Sequence, residues 1–285
     1  MTSVGQILTP IRLADRSFAF PDGTDKPGPL FGGQLLGQAL VSAGETVTSD
    51  LRPRSLHGDF LRPANDIEPV HFDVDIADDG RRTALRHVRA IQGDTHVAEF
   101  TVTFAVPESG PDVPARHSAE NATGWPPDDS DDDEVARQVL AWRDTVQRFL
   151  ALDISFSEEP ARAKVLRHGS APADQTFHVR CRDALPNSPV VRCAAVAYMS
   201  DLLLLSTALG PRGLLMGDPS VRAVTTTHSL WFHMSDPGDG WLRYRTAELH
   251  AGAENSVCHG SLSLLTGEAI ATSVQEGVIR RRHQR

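Results

Sequence analysis

The sequence predicts an α+β fold in which one plan, a buried helix wrapped by a meander of antiparallel strands, is built twice in a single chain. Three observations carry this expectation. In each half an almost uncharged helical segment precedes a series of strand-like segments. Glycine-bearing turn signals part those segments at corresponding places. Between the halves lies a proline-rich and then acidic stretch unlike either of them.

The first helix is expected over residues 31–41, Phe31-Gly32-Gly33-Gln34-Leu35-Leu36-Gly37-Gln38-Ala39-Leu40-Val41, where no side chain is charged. A helix apolar on nearly every side has to be enclosed. Strands follow over 55–61, 70–76, 83–91 and 96–106, parted by Asp78-Asp79-Gly80 and Gln92-Gly93-Asp94. The connector, 107–160, opens on Pro107, Pro111 and Pro114 and runs through Trp125-Pro126-Pro127 into the acidic run from Asp128 to Glu134. Such a segment has little apolar surface to bury. Its later part places Val135, Val139, Trp142, Val146, Phe149 and Leu150 at helical spacing. An amphipathic helix is expected there over 135–152, with the acidic run at its positive end.

The second half repeats the order, with a helix over 194–209 and strands over 223–233, 241–250, 256–265 and 269–278. Asp239-Gly240 and Thr266-Gly267-Glu268 supply its turns. Gly93 corresponds to Gly267 and His57 to His228 when the halves are aligned. The division expected is therefore 1–106, 107–160 and 161–285. A helix wrapped by such a meander is a hotdog, so the whole is a double hotdog. Its two sheets gain by joining edge to edge, because two exposed edges disappear.

With 285 residues, 40% of them hydrophobic and 23% charged, the chain has the make-up of a globular protein. No apolar run is expected to reach the roughly 18 residues of a membrane span, and residues 1–20 lack the pattern of a secretory signal. Cys181, Cys193 and Cys258 are odd in number and have no C-x-x-C spacing, which argues against a disulfide framework or zinc site and for a reducing cytoplasm. A formal charge of −9 argues against nucleic acid as a partner. The basic tail Arg280-Arg281-Arg282 reads first as a solvated terminus and second as a contact for a polyanionic ligand.

Five segments resemble one family. They are Phe31-Gly32-Gly33-Gln34 with Gly37-Gln38-Ala39-Leu40, then His57-Gly58-Asp59-Phe60-Leu61-Arg62-Pro63, Ala197-Tyr198-Met199-Ser200-Asp201, His228-Ser229-Leu230-Trp231-Phe232-His233 and Ser273-Val274-Gln275-Glu276-Gly277. In order and content they are similar to the bacterial acyl-CoA thioesterase II (TesB-type) enzymes. The resemblance implies hydrolysis of fatty-acyl-CoA by an activated water, without a cofactor or metal. It implies a triad of Asp201, Thr225 (three residues before His228) and Gln275, and a homodimer or higher closed assembly. The chain departs from the family pattern at Cys181, Thr227 and Glu254-Asn255-Ser256, which keeps open an alternative, a weakly active double hotdog that binds acyl-CoA as a sensor or carrier.

The residues themselves point the same way. From Ala194 to Leu209 the only charged side chain is Asp201, and four leucines follow it. Desolvation there raises a carboxyl pKa and makes a better base. Thr225 and Gln275 each donate and accept, which suits them to orient a water. Unpaired N–H groups at the amino end of a buried helix suit a thioester oxyanion. His57 and His228 are expected as structural histidines, since His228 and His233 fall on opposite faces of a strand and no H-E-x-x-H occurs. Gly32, Gly33 and Gly37 do not form G-x-G-x-x-G and are expected to let the first helix approach the sheet. The absence of G-x-S-x-G argues against a serine hydrolase, and that of D-x-N-x-x-H against a hotdog hydratase.

Overall fold

The computed structural model describes residues 2–21, 28–107, 124–126 and 133–281. Pro111, Pro114, Pro127, most of the acidic run and Arg282 lie outside the described residues. Numbered in chain order, the strands are β1 (Ile11–Ala14), β2 (Ser17–Ala19), β3 (Arg52–Phe60), β4 (Val70–Asp79), β5 (Thr83–Gln92) and β6 (Thr95–Ala105). Then come β7 (Leu152–Ser155), β8 (Asp174–Cys181), β9 (Val221–Phe232), β10 (Leu242–Ala251), β11 (Asn255–Leu264) and β12 (Ala269–Arg281). All twelve form one antiparallel sheet in the order β1-β2-β4-β5-β6-β3-β9-β12-β11-β10-β8-β7. The eight strands expected from the sequence are present, and the halves do join edge to edge.

The seam is β3 against β9, with Leu56 opposite Leu230 and Gly58 opposite His228. Residues directly opposite share a face, so His228 points inward with the leucines while His57 stands opposite Ser229 on the outer face. The alignment of His57 with His228 is therefore one residue out of step, and with a period of two one residue changes the face. Both rings are bonded to serines, as structural histidines should be. His57 Nδ1 lies 3.0 Å from Ser229 Oγ and His228 Nε2 lies 2.9 Å from Ser200 Oγ.

Inside the curve of the sheet lie α2 (Gly32–Gly44) and α5 (Pro189–Ser200). They run antiparallel and in contact. A methyl on Gly33 would overlap the Tyr198 carbonyl, one on Gly37 would lie 3.0 Å from the Ala194 carbonyl, and one on Gly44 would strike Val190. The glycines thus admit the second helix rather than the sheet, a correction to the sequence reading. The packing is of backbone against backbone, which any side chain at Gly33 would prise apart.

The second helix also differs from expectation. It starts at Pro189, with Ser188 as its cap, and ends at Ser200, with Asp201 in the capping position. A turn and two 3₁₀ segments, Leu205–Ala208 and Gly210–Arg212, continue the path. The whole run Pro189–Arg212 is long and apolar enough to pass for a membrane span, contrary to the sequence reading, but 83% of the window is buried inside the protein. α3 (Glu134–Leu150) is the expected connector helix, capped by the Asp133 carboxylate through Val135 and Ala136 N–H. Not anticipated were α1 (Val4–Ile7), α4 (Ala161–His168), β1, β2, β7 and β8. Two of these six, β7 and β8, extend the second sheet, and β7 does so from within the connector.

Candidate active site

Asp201, Thr225 and Gln275 come together at the carboxyl end of α5. Three separate features put them there. Asp201 stands where the helix stops, half-buried. Its Oδ2 accepts the Gly33 N–H of α2 at 2.9 Å, and its Oδ1 accepts Gln275 Nε2 at 2.8 Å. Gln275 sits opposite His228 on β12, so it faces inward and is 1% exposed.

Thr225 reaches the same face only through an irregularity. Counting by twos from His228, Thr225 belongs outside. Between β9 and β12, however, Glu276 pairs with Thr227 and Gly277 with Thr225, leaving Thr226 as an extra residue. Such a bulge reverses the parity of the strand. Thr225 Oγ1 then accepts the second Nε2 hydrogen of Gln275, while Thr226 Oγ1 donates to the Glu276 carbonyl at 3.1 Å. The bulge selects Thr225 from three consecutive threonines. Gly277 matters as well, since a methyl there would collide with Leu205 of the loop following Asp201.

Burial pushes the Asp201 carboxyl from 3.8 up to about 6, against the pull of the Gly33 N–H and the Gln275 amide. The groups around it are held neutral. Burial drives the His228 pKa down to about 3 and raises that of Tyr244. Tyr244 donates to the Ser200 carbonyl and lies 3.1 Å from Ser273 Oγ. Ser200 Oγ donates to the Ala197 carbonyl at 2.8 Å, so its contact with His228 has the ring Nε2–H donating. The sequence reading offered the amino end of a buried helix, without choosing which, to an oxyanion. At α2 the Gly33 N–H is occupied by Asp201, so that end holds a carboxylate.

Cys258 lies directly opposite Gln275 across β11 and β12. It is fully buried, and desolvation with the nearby Glu248 pushes its thiol up to about 12. A thiol so protonated at neutral pH is a poor nucleophile. Arg212 ties down the far end of the loop, pairing with Glu248 at 2.8 Å and donating to Ser256 Oγ at 3.0 Å. Sequence reasoning missed Arg212 and Glu248, for which no local pattern exists. Arg280 of the basic tail is paired with Glu254 at 2.8 Å.

Among the described residues, the first half shows no such group. Its helix is capped at the carboxyl end by Glu45, which turns outward to Arg12 at 3.2 Å. The inward residues of β6 opposite Leu56 and Gly58 are Val102 and Phe100. Opposite Val102 on β5 lies Arg86, 1% exposed, with its guanidinium bound to Thr46 at 2.8 and 3.0 Å and to Asp79 at 2.7 Å.

Fold and family likeness together define the class: a double-hotdog thioesterase. The family models for the acyl-CoA thioesterase N-terminal and C-terminal domains match residues 20–105 and 114–279. Human acyl-coenzyme A thioesterase 8 is 32% identical over 262 residues, covering 88% of this chain and 80% of that one. Acyl-CoA thioesterase 2 of Haemophilus influenzae is 28% identical, over 88% and 87% of the two chains. The crystal structure of acyl-CoA thioesterase II TesB2 from Mycobacterium marinum superposes with a TM-score of 0.73 at 27% identity, covering 99% of each chain. The chain belongs to the acyl-CoA thioesterase family.

Proposed function

We propose that this thioesterase hydrolyses fatty-acyl-CoA with a water activated by Asp201 and oriented by Thr225 and Gln275. The observation that carries the reading is a desolvated carboxylate whose Oδ1 and Oδ2 are each fixed by one N–H while further lone pairs stay open. Asp201 takes one proton as the water oxygen adds to the thioester carbonyl. The Thr225 oxygen is occupied by Gln275, so its own hydrogen is free to hold the water or the forming oxyanion. Collapse of the tetrahedral intermediate breaks the C–S bond, and the proton on Asp201 passes to the departing thiolate. The products are a free acid and coenzyme A, and Asp201 is returned as carboxylate.

Single-turnover hydrolysis in H₂¹⁸O tests this. The label is expected in the released acid, and quenched enzyme is expected to carry no acyl group. An acyl adduct on Cys258, with activity lost in Cys258→Ala, would replace the water mechanism by a covalent one. Saturable acyl-CoA binding without thiol release would favour the sensor reading.

The same reading extends to organisation. We divide the chain into a first hotdog (1–106), a connector (107–160) and a second hotdog (161–285), with β7 lent by the connector to the second sheet. β1 and β7 are the outer edges of the sheet, and free strand edges favour self-association. A homodimer or larger closed assembly is expected, and a stable monomer by light scattering at micromolar concentration would count against it. Three free, buried cysteines suit a reducing cytoplasm.

A further inference from the structure

The turn that carries the base is held in an unfavourable shape. Leu203, two residues beyond Asp201, has φ +57°, a left-handed conformation that crowds any residue with a Cβ. Strain of this kind persists only where its surroundings over-determine it. Here the Leu203 carbonyl collects three donors: Ser206 Oγ at 2.7 Å, Gln175 Nε2 at 3.2 Å and Thr207 Oγ1 at 3.3 Å. Ser206 and Thr207 belong to the turn itself. Gln175 alone reaches it from the sheet, on β8.

Gln175 Nε2 also donates to Thr207 Oγ1 at 3.1 Å, and Thr246 Oγ1 lies 2.7 Å from the same oxygen. With the Thr207 hydrogen on the Leu203 carbonyl, both lone pairs of that hydroxyl are filled, one by Gln175 and one by Thr246. Thr207 and Thr246 are 1% and 2% exposed, and Gln175 and Thr246 stand directly opposite in β8 and β10. The four groups bond to one another between turn and sheet, and none of these bonds goes to Asp201. Arg212, nine residues beyond Leu203 along the chain, anchors the segment separately through Glu248 and Ser256.

We propose that Gln175 is a positioning residue for the reaction: through the Leu203 carbonyl and Thr207 it fixes the turn that aims Asp201 at the attacking water. The proposal rests on reading Asp201 as the base. Gly33 and Gln275 hold the carboxylate by its oxygens, which fixes its direction only while the backbone beside it stays still. Displacement of a reacting group by about 1 Å costs on the order of 10²-fold in rate.

The test uses the full chain and the variants Gln175→Leu, Thr207→Val and Thr207→Ser. In the first two, kcat is expected to fall about 10- to 100-fold with KM changed less than about threefold. The acid limb of the kcat–pH profile is expected to move to lower pH, because a loosened turn admits water to the carboxylate. Thr207→Ser keeps the hydroxyl and is expected to restore both rate and limb. A role confined to stability lowers the melting temperature and moves neither. The proposal is overturned if kcat stays within about twofold and the limb stays in place in folded Gln175→Leu or Thr207→Val. If Gln175→Leu does not fold, the Thr207 pair decides. Activity surviving in Asp201→Asn would instead sink the base assignment beneath it, a separate failure read from a separate variant.

Discussion

Replacing Asp201 by asparagine should disable the protein and remove a pH-dependent cost to its stability. The folded carboxyl keeps its proton up to about pH 6, whereas the ordinary value is 3.8. Between those pH values the folded chain binds more protons than the unfolded one, so stability falls as pH rises through the window. Above about pH 6 the full cost is present, and a difference of about 2 pKa units corresponds to about 3 kcal/mol. Asparagine does not titrate and escapes this cost. Its own effects on packing and hydrogen bonding are the same at every pH, so a difference between two pH values removes them. Urea denaturation of both proteins at pH 4 and pH 7.5 should show Asp201→Asn gaining on the parent by up to about 3 kcal/mol between the two conditions. In parallel, kcat at pH 7.5 should fall by about 10² to 10⁴. An unchanged stability gap across that range would mean that the carboxyl is not desolvated as described. More than about a tenth of the parent rate would mean that it is not the base.

Thr225→Ala and Gln275→Ala should each lower kcat more than they raise KM, as the proposed role of holding water rather than the acyl group requires; a rise confined to KM in steady-state assays would reassign them to substrate contacts. Gly33→Ala should destabilise by about 1 to 3 kcal/mol through overpacking against Tyr198, and it should also lower kcat because the N–H it carries is displaced from Asp201. Thermal melts and rates together check this, and a fully active, fully stable Gly33→Ala would refute the close helix contact. The acid limb of the parent's kcat profile should lie near pH 6, with activity rising as pH increases through it, and a limb near pH 4 would contradict the buried environment of Asp201.

Much of this could be read in advance, for identifiable reasons. The long strands alternate or carry β-branched and aromatic residues, and Asp201 is conspicuous as the single charge among apolar neighbours. Thr225 and Gln275 became candidates through family resemblance, and no local pattern explains why Thr225 faces inward. That depends on a bulge at Thr226, and three identical residues in a row conceal where the extra one lies. The end of α5 was equally hidden. Leu202 to Leu205 continue a helical hydrophobic pattern, whereas the chain leaves the helix at Ser200 and Leu203 takes a positive φ, its carbonyl bonded from within the turn and from β8. β1 is exposed along its whole length, so it offers no alternation to detect. β8 does alternate, with Phe177, Val179 and Cys181 buried on one face.

The N–H that steadies Asp201 comes from Gly33, a residue of the opposite half. A chain made of two copies of one unit has therefore become lopsided without making either copy dispensable. One copy carries the proposed reacting groups. The other has Arg86 buried beside the end of its own helix and touches the proposed site through a single peptide group. An irreversible active-site titrant should accordingly count one equivalent per polypeptide. Changes that free the first copy to drift elsewhere along its length still have to preserve the place where its helix begins, because the partner copy's charge leans on it.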